Sequence, residues 1–459
     1  MRIIALAILY AVTAKLGQIF SLVGGSVTLI WLPAGIALAA ILIFGYRLWP
    51  GIFLGVLIAN FNLPIPLLSV LGMATGSSLG AIVGAYLTKK GNFHNNLDRI
   101  EDVFSLIVRG AIISPVISSL IDVPSLFLGG VIPPNQLSLF WFQFCMGDAL
   151  GVLVITPVCL TWISPIKWTY KQKIEAFIFF LLLLLISGIV FNGWLIKEQD
   201  LLPAFIIYPF LVLAPLRFGS KGAATALLLV SIMALLGLVH DTGPFVASSP
   251  LKTLVLLWLF VNVAAVVGLV LAASISQLIQ AKQHLEQMAL YDSLTGLDNR
   301  ILLTDKITAA LARAKRYQNY AVVLYLDLDG FKLINDTMGH DMGDQVLIEV
   351  AKRLKMCVRQ TDAVARIGGD EFVVLLQDVN HIQGAERVAQ EIIQIISRPI
   401  QLHNKQMHIG VSIGVAVAPG NGTNLNQLLR NADHAMYHAK QSGKNTYKFY
   451  SVHEFRESR

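Results

Sequence analysis

Up to Ile275 this chain is a succession of long apolar runs separated by short polar breaks. A hydrocarbon layer about 30 Å thick is crossed by about 20 apolar residues in a helix. Inside it, every backbone polar group must be satisfied within the segment, which leaves helices or closed barrels. Runs of this length predict a polytopic α-helical membrane bundle. Candidate spans lie at residues 3–21, 27–45, 49–60, 67–87, 103–128, 137–162, 176–195, 201–216, 222–239 and 254–275. The third and eighth are short, so the expected count is about ten, or eight. The first run is expected to be a span and not a cleaved leader, because no small-residue cleavage site separates it from the next.

Charge supports this partition. The chain is 55% hydrophobic and 14% charged, well below the roughly 25% charged of soluble domains. Residues 1–275 hold fourteen Lys and Arg against nine Asp and Glu, and the remainder holds twenty-one against nineteen. Arg47, then Lys89, Lys90 and Arg99, then Lys167, Lys171 and Lys173, then Arg217 and Lys221 fall in alternate connections. The connections between them, at 24–25, 64–66, 129–136, 197–200 and 241–250, hold few positive charges. Positive loops stay on the cytoplasmic side. Both termini are therefore expected in the cytoplasm, in a multi-pass protein whose first partner is the lipid bilayer. The basic balance needs no nucleic acid to explain it.

Lys15, Arg109, Asp122 and Asp148 lie within apolar runs. Charges there are expensive and face the bundle interior. A structural pair of Asp148 with Arg109 or Lys15 is one expectation. A role for Asp148 and Arg109 in sensing a ligand or proton is the other. Kinks are expected at Pro33, Pro115, Pro157 and Pro209. Cys145, Cys159 and Cys357 have no metal-ligand spacing and read as small hydrophobes. Trp31-Leu32-Pro33-Ala34-Gly35, Gly45 to Gly51, Gly147-Asp148-Ala149-Leu150-Gly151 and Leu216-Arg217-Phe218-Gly219 together resemble the MASE-type integral-membrane sensor domains of bacterial signalling proteins. The resemblance implies signal input at a bacterial inner membrane. A transporter-like bundle is the plainer alternative, but no internal repeat favours it.

Leu271, Ile275, Leu278, Lys282, Leu285 and Ala289 recur at spacings of 4, 3, 4, 3 and 4. That is a short heptad seam continuing the last span, interrupted by Lys282. It predicts a modest parallel coil of two chains, or an amphipathic linker packing on the next domain. The division expected is 1–275 membrane sensor, 276–290 connecting helix, 291–452 soluble domain and 453–459 tail.

The soluble part opens on Asp292-Ser293-Leu294-Thr295-Gly296-Leu297-Asp298-Asn299-Arg300, a turn before a helix starting near Ile301. Residues 321–329 form a continuous apolar run, as in a buried central strand, with Asp327 at its far end. A loop and short helix at 330–336 and a polar turn at 339–344 follow. The next helix carries Val346, Leu347, Val350, Ala351 and Leu354 on one face. Arg366-Ile367-Gly368-Gly369-Asp370-Glu371-Phe372 joins two β-prone runs through paired glycines, as in a hairpin. If those strands flank the central one in antiparallel fashion, Asp327, Asp370 and Glu371 converge. Converging carboxylates need a cation, and hard oxygen donors suit Mg²⁺. A helix at 384–397 with Val388, Ile392 and Ile395 inward, a strand pair through 407–417, a helix at 425–441 and a strand at 447–450 complete the domain. His403, His408 and His434 are scattered and read as surface residues.

These segments, with Ala439-Lys440-x-x-Gly443-Lys444-Asn445, resemble the GGDEF family of diguanylate cyclases from about Leu290 to Tyr450. The resemblance implies an α/β domain with the ferredoxin-like core of nucleotidyl cyclases. It implies a homodimer that joins two GTP into cyclic di-GMP with release of two pyrophosphates. Carried onto this chain, Asp327, the Leu328 carbonyl and Asp370 would hold Mg²⁺ (or Mn²⁺). Asp370 or Glu371 would assist deprotonation of the attacking hydroxyl. Asn335, Asp344 and His340 would bind substrate, the first two at guanine. Lys332, Lys440 and Lys444 would hold phosphates. Arg359 and Asp362 stand at the spacing of the family's product-inhibition site. No second catalytic domain follows Tyr450, so product hydrolysis is not expected from this chain. The rival reading is a catalytically silent receptor for GTP or cyclic di-GMP.

Overall fold

The computed structural model describes residues 1–19, 21–22, 27–165, 168–193, 202–402 and 405–451. The connections at 24–25 and 197–200, Lys167, His403 and the 453–459 tail lie outside the described residues. The chain forms two compact units, Met1–Gln280 and Ala281–Arg459.

The first unit runs through α1 (Arg2–Ile19), the short antiparallel pair β1 (Ser21–Leu22) and β2 (Val27–Thr28), α2 (Leu32–Phe44), α3 (Trp49–Asn60) and α4 (Leu67–Lys89). It continues with α5 (Ile100–Ser105), α6 (Ser114–Leu128), α7 (Leu137–Trp162), α8 (Tyr170–Phe191), α9 (Tyr208–Val239) and α10 (Pro250–Leu290), whose residues 281–290 belong to the second unit. Among the described residues, six helical stretches are long and apolar enough to cross a membrane, and Leu32–Phe44 is a shorter apolar helix. The expected spans at 201–216 and 222–239 share α9, which breaks at Gly219 (φ 63°, ψ −154°). Glycine tolerates that backbone.

The prolines take different places. Pro33 lies in the first turn of α2, where a missing N–H costs nothing, Pro209 follows the 3-10 stretch Leu202–Ile207, Pro115 lies within the continuous helical stretch Ile100–Leu128, and Pro157 is interior to α7. The helix widens to π geometry over Leu106–Ile113, just before Pro115. A proline ring collides with the carbonyl four residues back, and a wider turn accommodates it.

Packing in this unit rests on small residues. Gly72, Gly76, Gly80 and Gly84 line one face of α4 against α6. A Cβ at Gly72 would lie 2.1 Å from Ser125 Oγ, and one at Gly76 would lie 2.0 Å from Asp122 Oδ1. The Ser114 hydroxyl donates to the Gly80 carbonyl at 2.8 Å. Helices in lipid gain no hydrophobic drive from meeting, so close approach and hydrogen bonds must hold them. The segments 31–35 and 147–151 meet in the same way. Trp31 N–H donates to the Gly147 carbonyl at 2.9 Å, and Thr156 Oγ1 donates to the Gly35 carbonyl at 2.9 Å.

The charge-rich connections also meet. Ser220 Oγ donates to Leu97 O at 3.2 Å, Lys221 Nζ to Pro165 O at 3.1 Å, and Arg217 pairs with Glu175 at 3.0 Å. The heptad positions beyond the apolar part of α10 are exposed among the described residues: Leu278 is 69% and Leu285 65% exposed.

The second unit contains α11 (Arg300–Tyr317), β3 (Tyr320–Asp329), α12 (Phe331–Met338), α13 (His340–Met356), β4 (Ala363–Gly368), β5 (Glu371–Val379) and α14 (Gln383–Ile396). Then come β6 (Ile400–Leu402), β7 (Lys405–Met407), β8 (Gly410–Ala418), α15 (Leu425–Gln441) and β9 (Tyr447–Phe449). The main sheet has the order β4-β5-β3-β8-β9, with β3 antiparallel to both β5 and β8, the ferredoxin-like arrangement. Alternate residues of β3 serve two cores. Val322, Leu324, Leu326 and Leu328 pack with α13 and α14, whereas Ala321 and Val323 pack with α11 and α15.

Three local expectations are corrected. On α14 the buried residues are Ala385, Ala389, Ile392 and Ile396, with Val388 and Ile395 only half-buried, so the inward face is turned slightly. Met407 belongs to the separate β6–β7 hairpin, and the strand that joins the main sheet starts at Gly410. The polar stretch 339–344 is not a turn. Gly339 (φ 87°) breaks the chain and α13 begins at once, so Asp344 is helical. Glycine at 414 lets α15 lie against β8: a Cβ there would come within 2.0 Å of Ala432 O and 2.1 Å of Met436 N. Gly414→Ala is expected to cost about 3 kcal/mol by overpacking, read as a lowered denaturant midpoint of the second unit with an unchanged slope.

Candidate active site

The site is set by strand register. Asp327 on β3 stands directly opposite Glu371 on β5, and Leu328 N–H donates to the Asp370 carbonyl at 3.3 Å. The β4–β5 turn is tight, with Gly369 at φ 52° and a register shift between Arg366 and Gly368. Bulges of this kind re-aim side chains beside functional sites. The expected convergence of the three acids at one end of the sheet is what the register produces.

Arg366 holds the turn from behind. Its guanidinium donates to the Gly369 carbonyl at 2.8 and 2.9 Å and to both Asp292 oxygens at 3.2 Å. Asp292 Oδ1 also accepts from Thr295 N–H at 2.8 Å and Thr295 Oγ1 at 2.6 Å. Burial pushes the Asp292 carboxyl up, but the Thr295 hydrogen bonds and Arg366 prevail and hold it below its ordinary value. Asn299 caps α11 by accepting from Ile301 and Leu302 N–H. The 292–300 segment is thus the anchor of the hairpin. The Asp-x-x-Thr spacing, an Asx-turn signal, was the available clue.

Asp327 is 8% exposed, and Lys440 Nζ on α15 lies 2.6 Å from its Oδ2. Burial holds the Asp327 carboxyl above its ordinary value; the charges of Asp370 and Glu371 add to the rise and the Lys440 ammonium opposes it. Tyr325 OH donates to Glu371 Oε2 at 3.0 Å. Asp329, at the end of β3, has a structural part that its sequence position does not announce. It accepts from Ser412 Oγ and Asn445 N–H, each at 2.8 Å, and so fixes the turn carrying Lys444 (φ 62°).

The donor set fits a hard cation. Crowded, partly buried carboxylates have drawn in an ammonium, which shows that the place demands positive charge. Among the described residues no group of three or more His, Cys, Asp or Glu side chains is poised for a metal. Two carboxylates and a carbonyl are a sparse set, as Mg²⁺ accepts when water and substrate phosphates complete its shell.

The other expected residues are spread around this centre. Lys332, His340 and Asp344 are exposed and Asn335 is half-buried. Asn335 lies against α13, because a Cβ on Gly343 would meet its Oδ1 at 1.9 Å. That puts Asn335 beside Asp344. Arg359 is exposed, whereas Asp362 accepts from Arg359 N–H and Gln377 N–H, each at 3.0 Å. The pairing of Asp148 with Arg109 or Lys15 is not formed. Asp148 Oδ2 accepts from Ser118 Oγ at 2.7 Å. Arg109 instead donates to Leu87 O at 3.1 Å and Ser105 Oγ at 3.4 Å, towards the charge-rich end of α4.

A family model described as diguanylate cyclase, GGDEF domain, matches residues 289–446, and the MASE1 model matches residues 1–278. The chain is 45% identical over 181 residues to a bifunctional diguanylate cyclase/cyclic di-GMP phosphodiesterase, MucR, of Pseudomonas aeruginosa, covering 39% of this chain and 26% of that protein. It is 39% identical over 161 residues to the diguanylate cyclase TpbB of the same species, covering 35% of this chain and 37% of that one. It therefore spans well under half the length of these curated relatives. A solved structure of the TpbB GGDEF domain shares 37% identity and covers 36% of this chain and 98% of its own, with a TM-score of 0.36.

The Lys440–Asp327 pair makes a pH prediction. If Asp327 is a cation ligand, binding requires its ionised form, and the acid limb is then expected above the usual carboxylate range, because burial holds that carboxyl up. Lys440→Met removes the charge that opposes the rise and is expected to move the limb to still higher pH. Calorimetric titration of Mg²⁺-dependent GTP binding across pH checks it; an unmoved limb would separate Asp327 from the cation.

Proposed function

We propose, for a chain that belongs to the MASE1 family and carries a GGDEF domain, that it is a membrane-bound diguanylate cyclase under control of its membrane unit. The observation that carries this reading is the meeting of Asp327, Asp370 and Glu371 beside Lys440, on a register that leaves the hairpin tip free. In the reaction, the 3′-hydroxyl of one GTP attacks the α-phosphate of the other. A phosphorus–oxygen bond forms, pyrophosphate leaves, and a second such event closes the ring.

Each step needs a proton acceptor, and Asp370 or Glu371 takes that proton. Asn335 and Asp344 supply the amide and the carboxylate that a guanine edge requires, with His340 at the start of the same helix. Lys332, Lys440 and Lys444 hold the phosphates; the ammonium of Lys440 is already at the site and gains a second anionic partner when nucleotide arrives. Mg²⁺ or Mn²⁺, held by Asp327, the Leu328 carbonyl and Asp370, supplies charge neutralisation and polarisation of the phosphate. Arg359 is free to bind product while Asp362 is held by two backbone N–H groups. One chain offers half of a symmetric reaction, so two copies are required, and the exposed heptad positions of α10 give them a means to meet. The catalytic unit lies on the cytoplasmic face of an inner membrane, in keeping with the meeting of the charge-rich connections at one end.

The test is synthesis of cyclic di-GMP from GTP and Mg²⁺ by the second unit fused to a dimerising coil. Asp370→Ala is expected to lower synthesis at least ~100-fold. GTP binding without any product in the unsubstituted fusion would make this chain a receptor. Arg359→Ala is expected to leave initial rates unchanged and to weaken inhibition by added cyclic di-GMP; unaltered inhibition would move the product site elsewhere.

A further inference from the structure

The membrane unit contains a half-open cavity of about 500 Å³. Its position is informative. Leu63, Pro64, Ile65, Val131 and Ile132 are among its lining residues. Both segments belong to the charge-poor connections, so the cavity reaches towards the side away from the positive loops. Asp122 and Asp148 line it as well. Asp122 is seven residues from the end of α6 at Gly129, about 10 Å at 1.5 Å per residue. Asp148 is eleven residues into α7, about 16 Å along that helix.

The polar groups inside are short of partners. Asp122 is 4% exposed, and among the described residues its Oδ1 has no hydrogen-bond donor. Gln143 is 8% exposed, and its Oε1 has none among them either. Asp148 has Ser118 Oγ on one oxygen. Ser118 is one helical turn from Asp122, so the two carboxylates are close. Among the described residues that line the cavity there is no Lys, Arg or His. Buried acceptors left unmatched cost 1–3 kcal/mol or more each, and charged ones more still. A pocket holding two acids and a spare amide oxygen is built to receive donors that carry positive charge.

The size and the walls narrow the class. A volume of about 500 Å³ lies within the usual range for small-molecule pockets and far exceeds one inorganic ion. Tyr10, Trp31, Phe140 and Phe144 form much of the wall. Aromatic faces attract organic cations and bury an apolar body. We infer that this cavity is a binding site for a small organic ammonium compound. Its charged nitrogen sits between Asp122 and Asp148, with Gln143 Oε1 as a further acceptor, and its apolar body lies among the aromatic rings. This site stands apart from the catalytic reading, because binding is measured without GTP.

The test uses the full chain in detergent. 2-Phenylethylammonium and hexylammonium are titrated against thermal unfolding, beside 2-phenylethanol, 3-phenylpropionate and NaCl at matched ionic strength. The expected result is a saturable rise in Tm with at least one amine, and none with the alcohol, the acid or the salt. Asp148→Asn and Asp122→Asn are each expected to weaken the amine at least tenfold, and Gln143→Leu to weaken it less. The comparison among probes in the unsubstituted protein needs no variant to fold. No response to either amine overturns the proposal. So does an equal response to 2-phenylethanol, a response to NaCl alone, or an amine response that survives both Asp substitutions.

Discussion

Like charges gathered at one place repel, and the second unit is arranged so that three of them cannot move apart. Asp327 is fixed by a central strand hydrogen-bonded on both sides. Glu371 is fixed opposite it by register, and Asp370 by the turn that Arg366 grips. Lys440 then supplies the balancing charge from another helix. Each holder is itself held: Arg366 by Asp292, Asp292 by Thr295, and α15 by its close seat on Gly414. Preorganised charge of this kind needs no rearrangement when a cationic partner arrives.

Much of this was readable from the chain, and the remainder has identifiable causes. The central strand, the hairpin and the bounds of α15 follow from local patterns of apolar residues and glycines. The Lys440–Asp327 pair joins residues more than a hundred positions apart, and no local pattern announces such a contact. The role of Arg366 was hidden because its partner lies in a segment whose own motif looked like an ordinary turn. Gly339 and Gly343 bracket a polar run, a pattern that also marks turns, and so Asp344 reads as a loop residue from sequence alone. In the fold, Gly343 is a buried helical residue that makes room for Asn335. In the membrane unit, hydropathy located the helical segments but not their partners. Arg109 and Asp148 looked like a pair only because both are charges in apolar runs. Their neighbours are a carbonyl and a hydroxyl respectively.

The glycines every four residues along α4 are the feature of that unit most easily overlooked. They add nothing to a hydropathy profile. Yet they bring α6 close enough for Ser114 to reach a backbone carbonyl and for Asp122 to lie against Gly76. The same economy joins α2 to α7 at Gly35 and Gly151. Packing by backbone contact leaves little slack, so an added methyl group here acts on helix position and not only on local volume.

The exposed Leu278 and Leu285 of α10 have a consequence for dosage. A protein held in a bilayer diffuses in two dimensions, so what governs its encounters is copies per unit area of membrane. A short seam interrupted by Lys282 favours weak association. If two seams must meet for turnover, output scales with the square of surface density until pairing saturates. Cell growth that enlarges the membrane would then dilute the signal faster than it dilutes the protein.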